Sequence, residues 1–210
     1  MTDRNYWETF YAKQNAELKP SLFARFVAEN VKSIGKKLIE FGCGNARDAV
    51  FFANENYNVL AIDQCENEIK FLVTRYQKVK NLNFLVADFT CLSENQQFDI
   101  AYSRFTLHSI TAKQEADVLA WTYKNLNANG RFCIEVRGQK NEIYQKGDAV
   151  VGEPDAFIFN NHYRRFLNFD RFCEDLKRVG FQIEYAAEEK DFAPFNGENE
   201  TFIRVIAVKK

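Results

Sequence analysis

At 210 residues, with 46% hydrophobic and 15% aromatic side chains, the chain has the size and apolar content of one α/β domain, which excludes global disorder. Its formal net charge of −1 leaves no global electrostatic footprint for nucleic acid. No apolar run approaches the roughly 18–20 residues that span a bilayer, so no membrane partner is expected.

The polar, amphipathic start MTDRNYWETFYAKQ lacks the apolar core of a signal peptide. The five cysteines, Cys43, Cys65, Cys91, Cys133 and Cys173, are scattered without a Cys-x-x-Cys pair. Both features point to reduced thiols in a cytoplasmic protein, with no disulfide framework and no metal site. Residues 5–16 and 21–33 read as two leading helices, the second with Leu22, Phe23, Phe26, Val27 and Val31 at helical spacing.

The stretch from Lys36 to Ala53 organises the rest of the chain: a short buried strand, a turn around Gly42 and Gly44, then a helix with Ala49, Val50, Phe52 and Ala53 inward. Glycines there allow positive φ and close approach of a ligand to the backbone, and the helix N-terminus favours an electronegative group. A dinucleotide fingerprint would place a third glycine at position 47, where this chain has Arg47. Glu40, just before the turn, would repel a pyrophosphate and attract an ammonium. A ligand with both amine and carboxylate, such as S-adenosylmethionine, suits that arrangement.

Residues 38–46, LIEFGCGNA, resemble motif I of class I S-adenosylmethionine-dependent methyltransferases, with Ala46 in place of the last glycine. The resemblance implies that Glu40, Gly42 and Gly44 hold the cofactor and that Trp7 and Tyr11 of the leading segment cover it. A second strand, Val59 to Ile62, ends in Asp63, 19 positions beyond Gly44. That spacing puts a carboxylate where ribose hydroxyls are held, with Gln64 beside it. Next come a helix over 66–79 and a third strand ending in Asp88–Phe89. The family uses such an acid on the adenine amino group, and lays the next residue against the ring.

The fourth strand, 98–103, contains Asp99, which resembles the family's strand-four acid, and leads into Ser103, Arg104, Phe105 and His108 in the donor-facing loop. The chain lacks the Asn/Asp-Pro-Pro-Tyr of amino-methyltransferases acting on nucleic acid bases. Thr111-x-x-Gln114 opens a helix as a capping box. In the fifth strand Phe132, Ile134 and Val136 alternate with Cys133, Glu135 and Arg137. Residues 138–167 read as an irregular active-site insertion carrying His162, Arg164 and Arg165. A helix over 168–179 stopped by Gly180, and strands at 181–187 and 201–208 forming a hairpin, complete the chain.

The expectation is therefore an α/β, Rossmann-like class I methyltransferase fold over 1–210 as one domain. Its sheet is mostly parallel with an antiparallel closing strand, and helices cover both faces. S-adenosylmethionine would be consumed and S-adenosylhomocysteine released. The acceptor is a small polar molecule, anionic or bearing sugar or phosphate, methylated at oxygen. His108 is the first candidate base, with His162 and Glu135 as rivals. Arg104, Arg137, Arg164 and Arg165 are candidates for an acidic group on the acceptor. The stretches NHYRRF and APFNGENETFIRV are similar to small bacterial methyltransferases, some associated with surface-polysaccharide biosynthesis. A nicotinamide-dependent reductase and a noncatalytic methyltransferase-like binding module stay open as alternatives. The oligomeric state is not set by the sequence.

Overall fold

A computed structural model describes residues 19–31, 35–93 and 96–210. The expected helix over 5–16, with Trp7 and Tyr11, lies outside the described residues. Helix α1 (Leu22–Asn30) begins at Ser21, whose Oγ accepts the Ala24 N–H at 3.0 Å. That bond satisfies one of the orphan donors at a helix start.

The main sheet has seven strands: β1 (Lys37–Phe41), β2 (Asn58–Asp63), β3 (Leu82–Val86), β4 (Phe98–Arg104), β5 (Leu126–Val136), β9 (Phe181–Glu189) and β10 (Phe202–Lys209). Their order is β3-β2-β1-β4-β5-β10-β9. The first five are parallel, and β10 runs antiparallel to both β5 and β9. The two last strands do pair with each other as expected, but β10 inserts between β5 and β9. The edge is thus β9.

Period-two alternation sorts side chains between two cores. Phe132, Ile134 and Val136 join Ile39, Phe41, Val205 and the inner faces of α4 (Ala112–Asn125) and α5 (Phe169–Val179). Cys133 faces the opposite way, with Leu38, Val59, Ile100, Tyr102 and the inner faces of α1, α2 (Arg47–Asn54) and α3 (Glu66–Arg75). Helices therefore cover both faces of the sheet. Each fully buried Leu, Ile or Phe contributes roughly 1.5–3 kcal/mol. The capping box at Thr111 and Gln114 is present in full, and Gly180 ends α5 with φ 120°.

Residues 138–167 are more regular than the sequence reading has them, because three short strands lie between their turns. They fold into a small antiparallel sheet of β6 (Asp148–Ala149), β7 (Ala156–Phe159) and β8 (His162–Arg165). Asn160 and Asn161, at φ 52° and 55°, make a two-residue turn between β7 and β8; asparagine tolerates that left-handed geometry. Tyr144, Phe157 and Phe166 pack ring to ring beneath it. Strands of two to four residues carry too little alternation to be read from sequence.

The strand order reverses between β1 and β4. In an open parallel sheet that switch point opens a crevice at the carboxyl ends of the strands.

Candidate active site

The crevice begins with backbone geometry. Gly42 and Gly44 have φ 63° and 52°, and a Cβ on Gly42 would lie 2.6 Å from Thr106 Cγ2. Ala46, the residue before α2, also has φ 61°. A left-handed alanine costs about 1–2 kcal/mol, so the third position of the motif keeps a glycine's conformation without the glycine. Asp63 ties the turn down: Oδ2 accepts the Gly44 N–H and Oδ1 the Cys65 N–H, both at 2.9 Å.

A cavity of about 610 Å³ opens over this turn, within the range of small-molecule sites. On the β1–β3 side its wall includes Glu40, Gly42, Gly44, Arg47, Asp63, Gln64, Asp88 and Phe89. On the β4–β5 side it includes Arg104, Phe105, Thr106, Arg137, His162 and Tyr163. A further wall comes from the segment before β10, with Phe195, Glu198, Glu200 and Phe202.

Glu40 is only 4% exposed, and its Oε2 is buried without a hydrogen-bond partner. Burial, reinforced by the neighbouring Asp48, pushes its carboxyl well above the usual carboxylate range. An unmet carboxylate oxygen in a cavity wall is the counterpart of a cationic ligand group. Asp48, in the first turn of α2, is satisfied differently. It accepts from the Ser21 N–H and Ser21 Oγ, each at 2.7 Å, and from the Tyr102 hydroxyl at 2.9 Å. This clasp fixes the start of α1 at the cavity mouth, where Pro20, Ser21 and Leu22 form part of the rim. No sequence signal singled it out.

Several sequence candidates are placed elsewhere. His108, in the 3-10 turn Leu107–Ser109, is buried off the cavity wall, its Nδ1 3.5 Å from the Arg137 N–H. Burial and then Arg137, Arg164 and other cations lower its pKa well below the ordinary histidine value. Glu135 is 0% exposed and is gripped by Arg104 Nε at 2.8 Å and Arg204 Nε at 2.6 Å. It bolts β4, β5 and β10 together and does not line this cavity. Ser103 is buried with its Oγ 2.6 Å from Thr106 Oγ1, and Thr106, not Ser103, lines the cavity. Arg165 is buried in an ion pair with Glu115 and donates to the Ile110 carbonyl, while Arg164 donates to the Phe159 carbonyl. Neither arginine borders the cavity. Asp99 sits at the opposite end of β4, accepting from the Lys37 N–H and Asn127 Nδ2. Arg104 and Arg137 do line the cavity; Arg137 is paired with Glu200 at 2.5 Å.

A switch-point cavity, an acid-preceded glycine turn and an antiparallel strand inserted near the sheet edge together define the class I methyltransferase fold. Similarity to known proteins agrees. The family described as "Methyltransferase domain" matches residues 38–130. Among solved structures, an S-adenosylmethionine-dependent methyltransferase from Methanosarcina mazei is 17% identical with a TM-score of 0.75, covering 92% of this chain and 99% of that one. A 1,6-didemethyltoxoflavin-N1-methyltransferase from Burkholderia thailandensis is 18% identical with a TM-score of 0.72, covering 100% and 88%. A carboxy-S-adenosyl-L-methionine synthase from Campylobacter concisus is 28% identical over 125 residues, 57% of this chain. The chain spans half the length of that curated relative. Residues 38–130 thus match a methyltransferase domain, within a chain that has the class I methyltransferase fold.

Proposed function

We propose that the chain binds S-adenosylmethionine across the β1–β3 side of the cavity and directs its methyl group to a small polar acceptor on the β4–β5 side. The observation that carries this reading is the buried, unpartnered Oε2 of Glu40 beside the glycine turn. Glu40 fits the ammonium of the ligand, and Arg47, on the same wall, fits its carboxylate. Asp63 and Asp88 stand at the ends of β2 and β3 for ribose and adenine, with Gln64 and Phe89 beside them. Both Asp63 oxygens already take one backbone N–H, and each keeps a lone pair for a hydroxyl.

The bound sulfonium would supply an activated methyl for in-line displacement. The chain's own contribution is alignment, where effective molarity is worth about 7–11 kcal/mol, together with removal of the acceptor's proton. His162 is the base this reading favours: it is on the cavity wall, whereas His108 and Glu135 are not. A hydroxyl acceptor needs such a base to take its proton. An acidic group on the acceptor would be met by Arg104, because the single charge of Glu135 is shared between Arg104 and Arg204, leaving that cluster net positive.

Side-by-side calorimetric titration with S-adenosylhomocysteine and NADH tests the reading. Binding of the first and not the second is expected; the reverse would favour a reductase. Labelled-methyl transfer to hydroxylated small molecules then tests turnover, and a chain that binds the ligand without transfer to any of them would be a binding module.

A further inference from the structure

The acceptor side of the cavity is aromatic, and its rings are built into place. Phe105 has φ 59°, a conformation rare for a bulky side chain, held by its N–H donating to the Glu135 carbonyl at 2.8 Å. Such strain persists only where the surroundings impose it. Its ring stacks on Phe202 with centroids 4.8 Å apart. The Arg104 guanidinium lies 4.0 Å from the Phe105 centroid and that of Arg137 5.0 Å from the Phe202 centroid.

The segment between β9 and β10 adds a third ring. Phe195 and Glu198 exchange both backbone hydrogen bonds, at 2.9 and 2.8 Å, around Asn196 and Gly197 with φ 48° and 83°. That is a rigid two-residue hairpin. Its base is braced by Asn199 and Asp191, which bond each other twice, and by Arg204 donating to the Phe192 carbonyl. Next to that turn, on the cavity rim, Phe195 is 69% exposed.

Resting on the methyltransferase reading above, we propose that Phe195, facing the wall built by Phe105 and Phe202, selects an acceptor with a planar aromatic or heteroaromatic body. A guanidinium against a phenylalanine ring draws on the electron density of its face. Phe105 and Phe202 stack on each other beneath those guanidinia, so the wall they offer is ring edge. The positive C–H rim of an aromatic ring is met better by an electron-rich planar face than by the C–H groups of a saturated ring. An exposed rim phenylalanine on a braced hairpin gains most by covering a flat apolar surface. A sugar body meets this wall poorly, so the acceptor's polarity lies in its hydroxyl and acidic substituents and not in its ring.

The test uses the full chain saturated with S-adenosylhomocysteine and calorimetry with matched pairs. These are 4-hydroxybenzoate against cis-4-hydroxycyclohexanecarboxylate, and salicylate against cis-2-hydroxycyclohexanecarboxylate. At least one aromatic member should bind, with its saturated partner tenfold or more weaker. Phe195→Ala, a change at an exposed position, should weaken the aromatic member about 3- to 10-fold and leave S-adenosylhomocysteine affinity unaltered. Saturated partners binding as tightly, no aromatic member binding, or Phe195→Ala without effect would each overturn the proposal. Failure of S-adenosylhomocysteine itself to bind would instead overturn the methyltransferase reading.

Discussion

The Gly44 N–H lies 2.9 Å from Asp63 Oδ2, so the glycine turn after β1 and the acid ending β2 form one hydrogen-bonded unit. The other Asp63 oxygen holds the Cys65 N–H at the start of α3. One carboxylate thus shapes the turn, holds the residue that precedes the next helix and faces the cavity.

Asp63→Asn is expected to hurt twice. An amide offers one acceptor oxygen, so its NH₂ would confront either the Gly44 or the Cys65 N–H. A buried donor left unmet costs about 1–3 kcal/mol. Loss of charge-assisted bonds to hydroxyls should weaken S-adenosylhomocysteine binding by about 1.5–3 kcal/mol. Melting curves and calorimetry separate the two effects. Unchanged affinity in a folded variant would remove the ribose assignment.

Glu40→Gln should move stability and affinity in opposite directions. Burial raises the Glu40 pKa in the folded chain. A raised acid binds its proton more tightly folded than unfolded. Its contribution is therefore fullest below the unfolded value, about 4.3, and is lost as pH rises through the folded value. Glutamine escapes that loss, so the unliganded variant should melt at or above wild type at neutral pH. Its S-adenosylhomocysteine affinity should fall by about 1.5–3 kcal/mol. The wild-type affinity should climb with pH through the Glu40 titration, and this climb should vanish in the variant. Retention of the climb would place the ammonium on another group.

The two histidines make separable predictions. His162→Asn should cut turnover about 10²–10⁴-fold with little change in cofactor affinity, and remove a limb from the pH–rate profile. His108→Asn should keep that limb. His108 has a depressed pKa from burial and nearby arginines. Its stability contribution is thus present above the unfolded value near 6.5 and lost as pH falls toward the folded value. Wild type should accordingly lose stability below about pH 6.5 more steeply than His108→Asn. If His108→Asn removes the kinetic limb instead, the base lies in the strand-four loop after all.

Legibility in the sequence divides along physical lines. Strand-end residues tied to backbone direction were legible: Glu40, Asp63 and Asp88 follow from where β1, β2 and β3 must stop. Side-chain reach was not. Arg104, Glu135 and Arg204 come from three strands, and only their pairing shows that Glu135 is consumed in holding the sheet. His108 and His162 look alike in sequence, and the fold of β6–β8 brings His162, not His108, to the cavity wall. The Asn196–Gly197 dipeptide was the one available sign of the rim hairpin. The Ser21–Asp48–Tyr102 clasp joins residues too far apart in the chain for any local pattern to betray it.

Glu135→Gln is the sharpest test of that division, because a bolt and a base respond differently. The carboxylate accepts from Arg104 at 2.8 Å and Arg204 at 2.6 Å, fully buried across β4, β5 and β10. Glutamine can accept from one guanidinium but must turn its NH₂ toward the other, leaving two cations without their shared anion. Breaking a buried pair by removing one partner costs about 3–5 kcal/mol. For a chain of this size that lowers the melting temperature by roughly 6–20 °C at about 2–4 °C per kcal/mol. Arg204 also holds the Phe192 carbonyl, so the rim hairpin should loosen and acceptor KM should rise more than the cofactor's. The pH–rate limb should survive, since no cavity-facing group has been removed. A variant that melts like wild type yet loses that limb would make Glu135 the base and refute its role as a bolt.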